Sequence, residues 1–161
     1  MKYLLDANIF ITAKNLHYGF DFVPGFWDWL DQSHSHGFVW STRKVREELL
    51  AGEDVLSEWA AQRDSLFLAP DAQVTGSMQR LATWAHSGAY YPTAVSDFLS
   101  VADFELVAYA HSHEFTVVTH ERPQPGARKR IRIPDACDAL NVDWVGPYTM
   151  LRERGAQFVL Y

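Results

Sequence analysis

The chain has 161 residues, of which 48% are apolar and 21% charged, so it is long and apolar enough for a proper core and is no disordered segment. Its net charge of −6 and pI near 5.6 exclude a general polycation, which confines any nucleic-acid contact to a local basic patch. The lone Cys137 excludes an internal disulfide and a cysteine-built zinc site, and it fits a reducing compartment.

Residues 2–6 of KYLLDANIFI read as a short buried strand, and ANIFITAKNLH as a helix leaving it. Asp6 and Asn8 break this apolar run well short of a signal sequence, and no stretch approaches the roughly 18 apolar residues of a membrane span. A single cytoplasmic domain over residues 1–161, with no membrane contact, is expected. FVPGFWDWLDQSHSHG predicts a second helix, closed by Gly37. FVWS (38–41) is strand-like, and Ser41 or Thr42 can cap the helix TRKVREELLAG, which Gly52 ends. A helix around DVLSEWAAQRD, a strand around SLFLA and a long helix over 71–87 follow, with GAYYPT as a loop. SVADFELVAYAHSHE is helical and apolar on nearly every side, hence buried. FTVVT (115–119) is a β-branched strand, RPQPGARKR a loop, IRI a strand and PDACDAL a helix with Pro at its start. YTMLRERG predicts a last helix, and AQFVLY an edge strand. Short apolar strands alternating with helices predict an α/β protein whose mainly parallel sheet is covered on both faces.

In such a sheet, ligands sit outside the carboxyl ends of the strands. Asp6 ends the first strand. Glu121 follows FTVVT directly, with Thr119 two residues before it and on the same side of an extended chain. Asp103 falls in the first turn of the buried helix. With Val45 and Leu49 marking the core stripe of the third helix, Glu48 lies about 60° from Val45, and Glu47 lies about 160° away, in solvent. Each acid also has a plainer reading. Asp6 can cap the first helix, SVAD is a capping-box pattern, Glu48 can be a surface acid and Glu121 a loop acid. The signal is in the conjunction. Several carboxylates in one cleft repel one another unless they protonate or a hard cation neutralises them. Mg²⁺ and Mn²⁺ take oxygen ligands and can activate water against a phosphodiester, with Asn8 placed to orient an acid or a water.

YLLDANIFI, VREELL, ADFELVAYA and VVTHE, in this order and at these distances, resemble a PIN domain over nearly the whole chain. More narrowly, the chain is similar to bacterial PIN-like proteins whose tail reads like IRIPDACDALNV. The resemblance implies a three-layer α/β/α sandwich and an Mg²⁺- or Mn²⁺-dependent ribonuclease. Many such proteins are toxins held silent by a small cognate antitoxin protein, and the resemblance leaves a homodimer open. The four acids of the family carry over to Asp6, Glu48, Asp103 and Glu121, as catalytic and metal-binding residues, with Thr119 in support. Most members have Asp at the last position, where this chain has Glu121.

Five of the 14 basic residues, Arg122, Arg128, Lys129, Arg130 and Arg132, lie just after Glu121. Arg128, Lys129 and Arg130 are the candidate RNA phosphate contacts, against the alternative of a solvated loop. The pairs His34/His36 and His111/His113 lack further ligands at useful spacing, so zinc is not expected. Two other functions compete. A haloacid-dehalogenase-type phosphatase needs a second Asp two residues after the first, where this chain has Asn8. A non-catalytic PIN-like module would use the same fold to bind protein or RNA.

Overall fold

The computed structural model describes residues 1–160. Five strands, β1 (Tyr3–Leu5), β2 (Val39–Thr42), β3 (Phe67–Leu68), β4 (Thr116–Val118) and β5 (Trp144–Val145), form a wholly parallel sheet in the order β3-β2-β1-β4-β5. Helices cover both faces in the three-layer arrangement expected. They are α1 (Ala7–Thr12), α2 (Pro24–Ser35), α3 (Arg43–Leu50), α4 (Val55–Ala61), α5 (Ala72–Ser87), α6 (Pro92–Ser100), α7 (Ala102–His113), α8 (Ile133–Ala139) and α9 (Pro147–Glu153). No helix among the described residues is long and apolar enough to cross a membrane.

The central strands are apolar without alternation because both of their faces are covered, and every residue of β1 and β4 is buried. Their register pairs Leu5 with Val118, so Asp6 and Thr119 leave the sheet side by side. The Asp6 amide still donates to the Val118 carbonyl, at 3.0 Å. The helix that follows β1 widens into a π-helical segment over Ala13–His17. Thr42 caps α3 by accepting from the Val45 amide, and Gly37, at φ +81°, terminates α2 as its position predicts. The interior helix is α7, whose residues 104 to 110 are all buried and which packs chiefly on α5.

Four elements differ from the sequence pattern. Pro92–Ser100 is a helix, α6, where only a loop was expected before residue 100; Pro92 opens it. Val101, extended at φ −110° and ψ 169°, separates it from α7. Residues 131–133 form no strand. Ile131 and Ile133 are buried as a period of two requires, yet no neighbour pairs with them, and Ile133 already opens α8. The edge strand of the sheet is instead Trp144–Val145, too short to show a period. Residues 156–160 of AQFVLY are irregular, and Phe158 packs edge-on against Tyr18 and Phe26; Tyr161 lies outside the described residues.

Candidate functional site

The carboxyl ends of β1 and β4 set the first part of the site. The Thr119 hydroxyl donates to Asp6 Oδ2 at 3.2 Å and accepts from the Glu121 amide at 3.1 Å. Asp6 is 2% exposed, and although it holds the N-cap position of α1, its side chain makes no capping bond. Burial, and then the charges of Asp103 and Glu121, push the Asp6 carboxyl up to about 8. Asp103 rises to about 6, through burial first and then Glu121 and Glu48, with Arg130 opposing. Asp6 thus feels Asp103 and Glu121, and Asp103 feels Glu121 and Glu48.

Asp103 is not the partner of a capping box. Ser100 donates its hydroxyl to the Asp97 carbonyl at 2.8 Å, and the first turn of α7 has no capping side chain of its own. Glu48 reaches across from α3 and accepts from the Ala102 amide, so one helix closes the open end of another. Partial desolvation raises the Glu48 carboxyl, while the Ala102 amide and Lys44 oppose the rise. Glu48 and Asp103 share a cleft of about 360 Å³ with Asp97, Lys129 and Arg130; Glu47 and Glu48 are both exposed, but only Glu48 lines this cleft. Asp97 was not singled out in the sequence, because its helix was not recognised.

Glu121 is held firmly. Its Oε1 accepts from the Ile133 amide at 2.9 Å and its Oε2 from Arg130 at 2.8 Å. Its side chain is 9% exposed. Asp135, in the first turn of α8, accepts from the Gln124 amide at 2.9 Å, so α8 anchors the loop at two points. The motif IPDACDAL thereby acquires a physical role that its spacing alone did not disclose. Of the expected phosphate contacts, Lys129 lines the cleft, and Arg130 lines it while paired with Glu121. Arg128 is exposed outside this cleft, and its carbonyl accepts from the Tyr91 amide. Asn8 is exposed on α1, and its side chain has no hydrogen-bond partner among the described residues. Three of the four paired histidines have structural partners: His34 meets the Val39 carbonyl and Ser65, His111 meets Ser77, and His113 meets Asp71.

Among the described residues, no group of three His, Cys, Asp or Glu side chains is arranged to hold a metal ion. The donor chemistry still fits one class of cation. Carboxyls raised by neighbouring negative charge, as Asp6 and Asp103 are, favour added positive charge, and an ion that keeps most of its waters needs only one or two of them directly. The set therefore suits a hydrated hard ion and not a closed protein cage. A larger hollow, about 770 Å³, lies elsewhere, between Phe22, Trp29 and Phe158, and none of the four acids lines it.

A family model described as "Domain of unknown function (DUF4411)" matches residues 3–158. No curated protein matches the sequence. The chain is similar to VapBC2 from Rickettsia felis, in a crystal structure bound to a DNA fragment from their promoter, at 16% identity and a TM-score of 0.54. It is similar to FitAcB from Neisseria gonorrhoeae at 17% identity and the same TM-score. Each match covers 91% of this chain and 98% of the other. At these identities the likeness is one of fold, and the fold is the mixed α/β arrangement described above.

Proposed function

From the premise that this chain belongs to the DUF4411 family and shares its fold with VapBC2 and FitAcB, we propose that it is a metal-dependent endoribonuclease, the toxin of a toxin–antitoxin pair. The observation that carries the reading is the closeness of four acids from four segments beyond the carboxyl ends of β1 and β4: Asp6 feels the charges of Asp103 and Glu121, and Asp103 those of Glu121 and Glu48. The PIN-like motifs of the sequence add the substrate class, RNA. Asp6, Asp103, Glu48 and Glu121 are the residues that would hold Mg²⁺ or Mn²⁺, directly or through its waters. Such an ion, when bound, supplies charge neutralisation and an activated water at a phosphodiester.

The protein's own groups do the rest. Thr119 fixes the Asp6 carboxylate, and the Ile133 amide and Arg130 fix that of Glu121, so neither must reorganise when substrate arrives. Lys129 stands in the cleft as a point charge for a phosphate, which positions a strand without choosing its sequence. A cognate antitoxin is supported by the motif resemblance and by the fold shared with VapBC2, which is seen on a DNA fragment from their promoter. The reading is tested by incubating single-stranded and structured RNAs with Mg²⁺ or Mn²⁺, wild type beside Asp6→Asn. Cleavage should fall by orders of magnitude in the variant; equal rates would refute the site.

One observation favours a second reading. Both carboxylate oxygens of Glu121 already have donors, as suits a non-catalytic binding module. Mn²⁺ that raises the melting temperature without any RNA cleavage would favour it.

A further inference from the structure

Beyond Glu121, on the β5 side, lies a pocket of about 300 Å³ that the acid cluster does not use. Its lining includes Thr119 and Glu121, so it is continuous with the acids, and then Arg122, Trp144, Tyr148 and Arg152. Arg122 and Arg152 are both exposed, and among the described residues neither forms an ion pair or a side-chain hydrogen bond. Two uncompensated guanidinium groups in one concavity make a local positive field in a protein of net charge −6. Beside them, Tyr148 stands edge-to-face against His17, with ring centroids 6.0 Å apart at 70°, and stays 46% exposed. An aromatic ring held at one side and open to solvent is not serving the core. The volume is at the small end for a ligand site, enough for a single nucleotide and too small for a duplex.

We propose that this pocket is a subsite for one unpaired nucleotide of a single-stranded RNA, with its base stacked on Tyr148 and its phosphates on Arg122 and Arg152. The inference rests on the ribonuclease reading and extends it: the strand would cross the acid cluster with Lys129 on one side and this pocket on the other. Stacking on an aromatic ring accepts every base, because every base has a π-face, while arginine contacts to phosphate fix the register of the strand. A paired base cannot offer its face to a side chain, so the subsite selects single strands over duplex.

The test is binding of a fluorescently labelled single-stranded RNA of about a dozen nucleotides, followed by anisotropy in EDTA, where no cleavage occurs. Tyr148→Ala should weaken binding roughly 5- to 100-fold, and Tyr148→Phe, which keeps the ring, should stay within about two-fold of wild type. The double variant Arg122→Ala/Arg152→Ala should flatten the log–log salt dependence by about 1.4, at roughly 0.7 per single-strand phosphate contact. Duplex RNA of the same sequence should not sense Tyr148. All three side chains are exposed, so melting temperatures should hold and a folding defect would be visible at once. If wild type binds and cleaves RNA while these variants bind as it does with the same salt slope, the subsite is refuted and the nuclease reading stands. If wild type binds no single-stranded RNA at all, the subsite and the ribonuclease reading fall together.

Discussion

Asp6 is a carboxyl that the fold keeps protonated well above its usual range, and this has a signed consequence for stability. Its ordinary value is 3.8 and its folded value is about 8, so between those limits the folded state binds a proton that the unfolded state releases. Without a divalent ion, stability from this group is complete below pH 4 and is lost as the pH rises through 8. Asp6→Asn removes the dependence. In EDTA the variant should melt about 5 °C or more above wild type at pH 8, and the gain should shrink by pH 5, as differential scanning calorimetry would record. A gain that is the same at both values would show that repulsion among the acids is not its source. The two adjacent glutamates give a second contrast. Both are exposed, but Glu48 lines the cleft with Asp103 and closes the end of α7, and Glu47 does neither. Glu48→Gln should cut RNA cleavage by roughly tenfold or more, and Glu47→Gln should leave it unchanged; the reverse would mean that α3 is rotated from its position here.

Among the elements, α7 bears most on stability, because it is buried along nearly its whole length and its first turn carries Asp103. Leu106→Ala, at a site with no exposure, should lower the unfolding free energy by about 2–5 kcal/mol in a urea titration. A loss below about 1 kcal/mol would show that the neighbouring helices collapse freely into the space. This helix was legible in the sequence because its polar residues are too few for an amphipathic face, and FTVVT was legible because its β-branched run is short and bounded. The junction between α6 and α7 was not legible: Pro92 was taken with the loop before it, and Val101 breaks the helix by backbone conformation, which residue type hardly reveals. IRI shows how period can mislead. The alternation was real and was satisfied by burying Ile131 and Ile133 beside a loop, with no strand to pair them. Position along the chain could suggest that the four acids lie near one another, but the bonds holding Glu121 come from Ile133 and Arg130, and spacing cannot disclose a contact that depends on how a loop folds back.

At the scale of the whole molecule, an acidic protein must meet a polyanion through a small basic surface, so affinity should collapse as salt rises. Arg128→Ala/Lys129→Ala should weaken binding of unrelated RNAs about equally and flatten the log–log slope by up to about 1.4, with the melting temperature unchanged. Unequal losses across sequences would mean that these side chains read bases. The topology also governs when the site can exist. The middle strand of the sheet lies at the beginning of the chain, and Asp6 meets Thr119 across a separation of 113 residues. Glu121 is not locked until Ile133 is in place. Pairings this distant in sequence make folding slow compared with helix formation. During synthesis, then, Asp6 waits without Thr119 for the 113 residues that separate them. On the ribonuclease reading, the topology works as a timer: a growing chain carries no assembled site until the segment that reaches Ile133 has been made.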